Sequence, residues 1–289
     1  MERVAVLGAG FMGSAAAERL TSRGFRVIIW NRTKSRAVEV ASSVGAEAAD
    51  TVSEALSKAS HAIAFLSDDD ALISVASQMG RSDGLVFINS STITPKTSTA
   101  LRDHMSRLGA CYVEAPVVGG PSAVRRGGVI ALVAGDGHCV EQASPVIDAI
   151  SSKVIRLGRV GEASALKLAY NNLLMATLAS LSESLVLARL YGVPEEKFEE
   201  LVYSTSFSEV ARRYLDRITG RDRVVSFRLR LAAKDAYYAS QALNSAGAPS
   251  FIASQVSQLF RAASQKYGDS DYSRIYEFLE EVSGLKEGG

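Results

Sequence analysis

Residues 158–194 read GRVGEASALKLAYNNLLMATLASLSESLVLARLYGVP, and the chain is organised around this stretch. No Gly or Pro interrupts the segment from Glu162 to Tyr191, in which Leu, Ala and Met recur at spacings of three and four residues. This periodicity predicts one long, largely buried helix, which Gly192 and Pro194 end. At 1.5 Å per residue, about 30 residues span about 45 Å, which exceeds the width of a small domain. We therefore expect this helix to connect two halves of the molecule.

The composition is that of an ordinary soluble protein. The 289 residues are 47% hydrophobic and 22% charged, which is enough for two cores. The 32 basic and 31 acidic residues nearly cancel, which argues against nucleic acid or a membrane surface as the main partner. No apolar run reaches about 18 residues, and the chain begins with a strand pattern instead of a signal peptide. A cytoplasmic location is expected.

The cysteines and histidines give no sign of a disulfide or of a metal site. Cys111 and Cys139 lie far apart in the sequence, and His61, His104 and His138 form no ligand pattern with them. We therefore expect structural or incidental roles for all five residues, and no bound metal.

The N-terminus carries a pattern that is typical of dinucleotide binding. The strand-like segment RVAVL, residues 3–7, is followed by Gly8-Ala9-Gly10-Phe11-Met12-Gly13 and then by a helical segment. In such a turn the first glycine permits the sharp bend, the second lets the backbone approach a diphosphate, and the third lets the helix pack closely on the strand. The diphosphate then lies at the helix N-terminus. A glycine-rich turn without a ligand is the alternative, but the position between strand and helix favours a dinucleotide site.

The residues after the second predicted strand, Arg26–Trp30, indicate the type of nicotinamide cofactor. Folds that bind NAD usually place an acidic residue here for the ribose 2′-hydroxyl, whereas this chain has Asn31-Arg32-Thr33. The Arg32 guanidinium, helped by the side chains of Asn31 and Thr33, suits a 2′-phosphate. The sequence therefore favours NADP(H) over NAD(H). The alternative is that Arg32 is an ordinary solvated residue at a strand end.

Further strand and helix patterns extend the predicted sheet. Strands are expected at His61–Leu66, Leu85–Asn89, Tyr112–Glu114, Val129–Ala134 and Lys153–Leu157. Helices are expected to begin after Thr51, which forms a capping box with Glu54, after the acidic run Asp68–Asp70, at Pro95 and at Val140. Strand carboxyl ends present ligand groups in a doubly wound sheet, so Leu66, Ser67 and Thr92 should border the cofactor.

Residues 118–121, Val118-Gly119-Gly120-Pro121, form a candidate binding turn after the strand Tyr112–Glu114. Free backbone amides at this glycine pair suit a small carboxylate, and a plain turn is the alternative. The last third of the chain predicts only helices, at Glu195–Tyr203, Glu209–Ile218, Leu229–Ser245, Phe251–Tyr267 and Ser273–Val282. The expected fold is therefore α/β, with an N-terminal Rossmann doubly wound sheet in residues 1–160. An all-α C-terminal domain in residues 161–289 follows, joined by the long interdomain helix.

The chain resembles the β-hydroxyacid dehydrogenase family, which includes 3-hydroxyisobutyrate dehydrogenases and the glyoxylate and succinic semialdehyde reductases. The resemblance covers nearly the whole chain, in motifs that occur in the family's order: GAGFMG at 8–13, WNRT at 30–33, SSTITP at 90–95, EAPVVGGPSAVRRGG at 114–128, GRVGEASALKLAYNN at 158–172, FRLRLAAKD at 227–235 and GDSDYS at 268–273. It implies a substrate pocket between a Rossmann domain and a helical domain. It also implies a homodimer or homotetramer that forms through the helices.

The resemblance also implies roles for particular residues. Lys167 matches the family's catalytic lysine, and Asn171 matches the asparagine one helical turn later. The positions that match the substrate site are Gly119, Gly120 and Phe227, and those that match the surroundings of the nicotinamide are Thr92 and Lys234. Lys234 could also form an ordinary solvated pair with its neighbour Asp235.

Two departures from the family pattern bear on the substrate. Val118 stands where the family usually has serine, and Glu114 stands where aspartate is usual. The loss of the serine hydroxyl puts the identity of the substrate in doubt more than the reaction, because a less polar pocket suits a different or more apolar side group.

The spacing of Lys167 and Asn171 indicates acid and base chemistry. In the reduction direction the Lys167 ammonium would protonate the developing alkoxide, and in the oxidation direction the neutral amine would take the proton back. We expect the positive helix end and partial burial to lower the pKa of Lys167, while Asn171 orients the amine. The alternative for Lys167 is a surface lysine at a helix end.

These observations predict an NADP(H)-dependent dehydrogenase or semialdehyde reductase for small acids. Serine, 3-hydroxyisobutyrate, 4-hydroxybutyrate and its semialdehyde, and glycolate or glyoxylate all remain candidates. An imine reductase is the nearest alternative, although such enzymes usually lack a lysine at the position of Lys167. The alternative from another class is a non-catalytic, oligomeric scaffold that binds NADP(H).

Overall fold

The computed structural model describes residues 2–285 and divides into two compact units, Met1–Lys167 and Leu168–Gly289. The division falls inside the long helix, after Lys167, whereas the sequence placed the domain boundary after residue 160. The helix itself is observed at Glu162–Leu190, close to its predicted limits. Lys167 is therefore the last residue of the first unit, and Asn171 belongs to the second.

The described residues of the first unit form nine strands in one mixed sheet. They are β1 Arg3–Leu7, β2 Arg26–Trp30, β3 Glu47–Ala48, β4 His61–Ala64, β5 Val86–Asn89, β6 Cys111–Glu114, β7 Val117–Val118, β8 Val129–Gly135 and β9 Ser151–Arg156. The order is β3-β2-β1-β4-β5-β6-β8-β7, and β9 pairs with β8. The first six strands in this order are parallel, and β8 runs antiparallel to β6 and β7. The order of the parallel part is that of a Rossmann sheet, which confirms the predicted fold.

Most helices of the two units lie where the sequence predicted them. They are α1 Phe11–Ser22, α2 Lys34–Val44, α3 Val52–Ser57, α4 Asp69–Ala76, α5 Pro95–Arg107, α6 Pro121–Arg126, α7 Gly137–Ile150, α8 Glu162–Leu190, α9 Glu195–Tyr203, α10 Ser208–Ile218, α11 Leu229–Ser245, α12 Phe251–Tyr267 and α13 Ile275–Val282, with a short 3-10 helix at Tyr272–Arg274. Helices cover both faces of the sheet because side chains alternate along each strand. In β1, Val4 and Val6 belong to one buried cluster, while Ala5 and Leu7 belong to another.

Side-chain caps fix where several helices begin. The Thr51 hydroxyl accepts the amide of Glu54 at 3.1 Å, as the predicted capping box requires. The Glu54 carboxylate returns to the amide of Asp50, one residue before the expected partner. Asp68 caps α4 by accepting the amide of Ala71 at 2.8 Å. These carboxylates satisfy amides that have no partner within the helix.

The second unit packs helices α9 to α13 against the part of α8 that follows Lys167. Met175, Leu178 and Leu185 are buried in its core. The prediction that α8 is largely buried is wrong on the opposite face, where the exposed fractions of Leu173 and Leu187 are 66% and 59%. By length and composition alone α8 could cross a membrane, but core helices of soluble proteins pass the same test.

The expectation of unpaired cysteines is also wrong. Cys111, at the start of β6, and Cys139, in the first turn of α7, form a disulfide with their Cα atoms 5.5 Å apart. The His138 side chain contacts both sulfur atoms. The order of strands and helices brings these residues together, and spacing along the sequence does not reveal such a contact.

Candidate active site

The glycine turn after β1 has the geometry of a dinucleotide cradle. Gly8 has a φ of +103°, and a Cβ there would lie 2.4 Å from the carbonyl oxygen of Phe65. A Cβ at Gly13 would lie 1.7 Å from the carbonyl oxygen of Gly8, so helix and strand are in close contact. At Gly10, by contrast, no heavy atom of the described residues beyond its chain neighbours lies within 4 Å of a Cβ. The space therefore lies at the glycine where a diphosphate would approach the backbone, next to Phe11 and Met12 at the start of α1.

The Asn31 side chain holds this turn in place. Its Oδ1 accepts the amide of Ala9 at 3.0 Å, and its Nδ2 donates to the carbonyl of Thr33 at 3.0 Å. The amide of Gly8 donates to the carbonyl of Trp30 at 2.8 Å. Both ends of the Asn31 amide thus bond within the fold, and the contact of Asn31 with a 2′-phosphate stays a prediction.

Arg32 and Thr33 are exposed directly after β2, where the sequence placed them. The sequence did not indicate a third residue near the glycine turn, Arg36. Arg36, in the first turn of α2, donates from Nε to the carbonyl of Ala9 at 3.2 Å and forms an ion pair with Glu39. Its guanidinium therefore lies beside the glycine turn. The sequence could have indicated Arg36, because it follows Thr33 by three residues and a helix that begins between them turns it back toward the same site.

The predicted residues after β4 and β5 lie at the carboxyl edge of the sheet. The amide of Leu66 donates to the hydroxyl of Ser91 at 2.9 Å, which links the two strand ends. Ser67 is exposed, and its hydroxyl donates to Asp68. Thr92 is half-buried in the loop that leads to α5. Loops at this edge of a Rossmann sheet border the ligand.

The candidate substrate turn follows β7. Val118 pairs with Ile130 in β8, which leaves its side chain half-buried. Gly119 has a φ of +140°, and a Cβ there would lie 2.9 Å from a methyl carbon of Val129. Gly120 immediately precedes α6. A larger residue than glycine at position 119 would therefore disturb both the backbone and the packing against β8.

Two carboxylates, neither of which was predicted to do so, hold the start of α8. Glu114 is fully buried and accepts hydrogen bonds from the amide of Gly161 at 2.7 Å, the amide of Ala163 at 3.3 Å and the hydroxyl of Ser164. Glu162 accepts the amides of Gly158 and Arg159. The amide and the side chain of Arg159, together with the amide of Gly158, hold the pKa of Glu162 below its usual value.

These contacts alter the expected surroundings of Lys167. The sequence reasoning relied on the positive end of α8 to favour a neutral lysine, but the carboxylate of Glu114 occupies that end and compensates it. Lys167 itself is half-buried in the second turn of the helix.

Asn171 takes part in a buried polar network in the second unit. Its Nδ2 donates to Asp235 Oδ2 at 2.6 Å, and both side chains are almost fully buried. Lys234 Nζ lies 2.8 Å from Asp235 Oδ1 and 4.8 Å from the centre of the Tyr238 ring. The Lys234–Asp235 pair is therefore not an ordinary solvated pair, because only 16% and 3% of the two side chains are exposed.

Phe227 is held by the GDSDYS segment. The Asp271 carboxylate accepts the amides of Ser226 and Phe227 as well as the hydroxyl of Ser226. The Phe227 ring packs on the Tyr272 ring with centroids 5.5 Å apart. The sequence indicated both segments but not the carboxylate that joins them.

Comparisons with known proteins agree with this geometry. The family model for the NAD binding domain of 6-phosphogluconate dehydrogenase matches residues 3–158, and that for the NAD-binding domain of NADP-dependent 3-hydroxyisobutyrate dehydrogenase matches residues 161–279. The chain belongs to the β-hydroxyacid dehydrogenase family. It is thus an oxidoreductase with a nicotinamide cofactor site, and members of this family act on small hydroxyacids or semialdehydes.

Individual family members cover most of the chain. Glyoxylate/succinic semialdehyde reductase 1 of Arabidopsis thaliana is 32% identical over 69% of this chain and 70% of its own length. The mitochondrial 3-hydroxyisobutyrate dehydrogenase of Bos taurus is 27% identical over 96% of this chain and 87% of its own. The structure of Mycobacterium tuberculosis 3-hydroxyisobutyrate dehydrogenase with L-serine superposes with a TM-score of 0.85, at 22% identity over 96% of this chain and 99% of that one. This last similarity supports the fold.

Proposed function

We propose that this family member is an NADP(H)-dependent enzyme that transfers a hydride between nicotinamide and a small β-hydroxyacid or its semialdehyde. The substrate class comprises 3-hydroxyisobutyrate, serine, 4-hydroxybutyrate with succinic semialdehyde, and glyoxylate. The observation that carries the proposal is the hydrogen bond from Asn171 to Asp235. Because Nδ2 is the donor in this bond, Oδ1 is the atom that Asn171 can offer to an amine one helical turn earlier, at Lys167.

The residues around the glycine turn fit the cofactor. When bound, the nicotinamide supplies or accepts the hydride. The amides at the start of α1 would hold the diphosphate beside the open space at Gly10. Arg32 and Thr33 would hold the 2′-phosphate, and the guanidinium of Arg36 adds a second positive charge near the same turn. Thr92 and Lys234 would border the nicotinamide.

Lys167 acts as general acid and base in this proposal. During reduction its ammonium gives a proton to the substrate oxygen as negative charge develops there, and during oxidation the neutral amine takes the proton from the hydroxyl. Asn171 accepts a hydrogen bond from the amine and orients it without adding charge. Asp235 fixes the rotamer and the amide orientation of Asn171.

The substrate turn determines which acid is bound. Gly119 and Gly120 would hold the carboxylate through their amides, and Phe227 would contact the side group. Val118 supplies a methyl surface in place of a hydroxyl, so the chain should prefer a substrate whose side group near this residue is apolar.

Two alternatives make different predictions. An imine reductase would reduce cyclic imines and would not depend on Lys167. A non-catalytic scaffold would bind NADPH without turnover of any substrate. The buried Asn171–Asp235–Lys234 network favours a catalytic site, because a polar network of this kind needs a reason to be kept in a core.

The exposed face of α8, which carries Leu173 and Leu187, supports a homodimer or homotetramer. Leu173 and Leu187 are spaced by fourteen residues, which is close to four helical turns, and Leu190 is exposed at 51% near them. We propose that a second copy of the chain covers this face and that the protein works in the cytoplasm. A monomeric mass in solution would contradict the first of these proposals.

The proposal is tested by following NADPH and NADH oxidation with glyoxylate, succinic semialdehyde and related aldehyde-acids, and NADP⁺ reduction with serine and 3-hydroxyisobutyrate. Turnover with a preference for NADPH would support it. Turnover of cyclic imines alone would favour the imine reductase, and NADPH binding without any turnover would favour the scaffold.

A further inference from the structure

The disulfide lies at the edge of the sheet opposite to the glycine turn. Cys111 is the first residue of β6, whereas the ligand loops follow the carboxyl ends of the parallel strands. Cys139 is the third residue of α7. We propose that Cys111 and Cys139 form a reversible thiol–disulfide exchange site that takes a low-molecular-weight thiol at Cys111, with His138 as its proton donor.

The two sulfur atoms differ in access. Cys139 is buried with 4% of its surface exposed, whereas Cys111 is half-buried, and its sulfur faces the exposed side chains of His138 and Gln142. Exchange requires an incoming thiolate to reach one sulfur in line with the bond that breaks. The structure therefore assigns Cys111 as the sulfur that is attacked and Cys139 as the one that leaves.

The surroundings of Cys139 suit a leaving thiolate. Its place in the first turn of α7 puts it near amides that have no partner within the helix, which stabilise a thiolate. His138 Nε2 lies 3.2 Å from the sulfur of Cys139 and 3.5 Å from that of Cys111. An imidazole between the two sulfurs can deliver a proton to whichever one departs.

The exchange balances without any further group. A small thiolate attacks Cys111 Sγ, the protein S–S bond breaks, a mixed disulfide forms at Cys111, and Cys139 takes a proton from His138 Nε2. A second small thiol attacks the mixed disulfide and releases Cys111 as a thiol. The products are two protein thiols and one small-molecule disulfide, which has lost two electrons. A small-molecule disulfide drives the reverse reaction.

The cytoplasmic location that we propose gives this chemistry a context. Disulfides in reducing compartments are mostly transient, catalytic or redox-sensing, whereas structural disulfides belong mainly to secreted proteins. The ligand atoms of Cys111, His138 and Cys139 also lie within 4.8 Å of one another. A soft metal ion that binds the reduced thiols would therefore compete with reoxidation to the disulfide.

The experiment equilibrates the full-length protein in glutathione buffers of varied ratio, quenches with acid and measures intact mass. The proposal predicts conversion between disulfide and dithiol within this series. In Cys139→Ala, which fits the buried site, it predicts one glutathionyl group at Cys111. In Cys111→Ala it predicts little modification of the buried Cys139.

His138→Gln tests the proton donor. Reduction by glutathione should slow by about tenfold in this variant, less than for a typical positioned acid because a thiolate is already a good leaving group. Gln142→Ala is the control, because Gln142 also lies beside Cys111 but does not act as an acid. This variant should keep the rate of reduction by glutathione within about twofold of the wild-type rate. A disulfide that resists every buffer, an unmodified Cys139→Ala variant or an unchanged rate in His138→Gln would each overturn the proposal. Tight zinc binding that blocks reoxidation would reassign the cluster to a metal.

Discussion

The side-chain amide of Asn171 donates a 2.6 Å hydrogen bond to the carboxylate of Asp235, and both groups are buried. The two residues are 64 positions apart, on α8 and α11. The bond determines which end of the Asn171 amide remains available. It thereby connects the FRLRLAAKD motif to the helix that carries Lys167.

Loss of this carboxylate should impair both stability and catalysis. In Asp235→Ala the buried amide of Asn171 loses its acceptor and Lys234 loses its ion pair, so we expect the free energy of unfolding to fall by about 2 to 4 kcal/mol. The kcat should fall by about tenfold or more because Asn171 is free to rotate. Chemical denaturation and steady-state kinetics measure the two effects.

Asp235→Asn provides the matched variant. Its amide oxygen can still accept the hydrogen bond from Asn171, while the charge opposite Lys234 is lost. It should therefore keep more activity than Asp235→Ala. Equal kcat values for both variants and the wild type would show that the orientation of Asn171 does not matter.

Arg32 should discriminate between the two cofactors. The Arg32→Ala variant should raise the KM for NADPH by about 10- to 100-fold, because a hydrogen bond to a charged group contributes about 1.5 to 3 kcal/mol. The KM for NADH should stay within about twofold of the wild-type value. Arg23→Ala, which alters an exposed arginine just after α1, is the control. An equal loss for both cofactors would contradict the role of Arg32 in 2′-phosphate binding.

Alanine at Gly13 and alanine at Gly10 should have very different effects on stability. Gly13→Ala places a methyl group against the carbonyl of Gly8 and should lower the free energy of unfolding by about 3 kcal/mol. Gly10 has extended backbone angles that alanine adopts, and its Cβ would point into open space. Gly10→Ala should therefore change stability by less than about 0.5 kcal/mol.

Cofactor titration distinguishes the two variants further. In Gly10→Ala the new methyl group occupies the approach to the diphosphate, so the Kd for NADPH should rise by roughly tenfold, or about 1.4 kcal/mol. Unchanged NADPH binding in this variant would place the diphosphate elsewhere.

The cap at Glu162 should give a pH-dependent contribution to stability. The amide and side chain of Arg159 and the amide of Gly158 lower the pKa of Glu162 from its usual value of 4.5. Its contribution is therefore fully present above about pH 4.5 and is lost as the pH falls through the lowered pKa. The Tm difference between wild type and Glu162→Gln should shrink as the pH falls through this window, and a constant difference would contradict the assignment.

Local patterns in the sequence predicted much of the fold. The spacing of Gly8, Gly10 and Gly13 between a strand and a helix identified the cradle, and Gly13 lies against the carbonyl of Gly8 in the same turn. The bounds of α9, α11 and α12 were predicted to the residue from periodicity and Gly or Pro breaks. Such features depend on neighbours along the chain.

The features that the sequence reasoning missed depend on contacts between distant segments. Glu114 meets the start of α8 across about fifty positions, and the Cys111–Cys139 disulfide forms only once β6 and α7 are in place. The exposed face of α8 was missed for a related reason. Hydrophobic periodicity shows which residues are apolar, but not which of them the same chain buries.

The measurement that tests the central claim most directly compares Lys167→Met with wild type on the best aldehyde-acid of the substrate panel, together with NADPH binding by fluorescence. Methionine keeps an unbranched apolar side chain that is one atom shorter than lysine, and Lys153→Met, at an exposed strand position, controls for the loss of one charge. The account predicts a fall in kcat of about 10²- to 10⁴-fold for Lys167→Met with an unchanged Kd for NADPH. A Lys167→Met variant that turns over at the wild-type rate would contradict it.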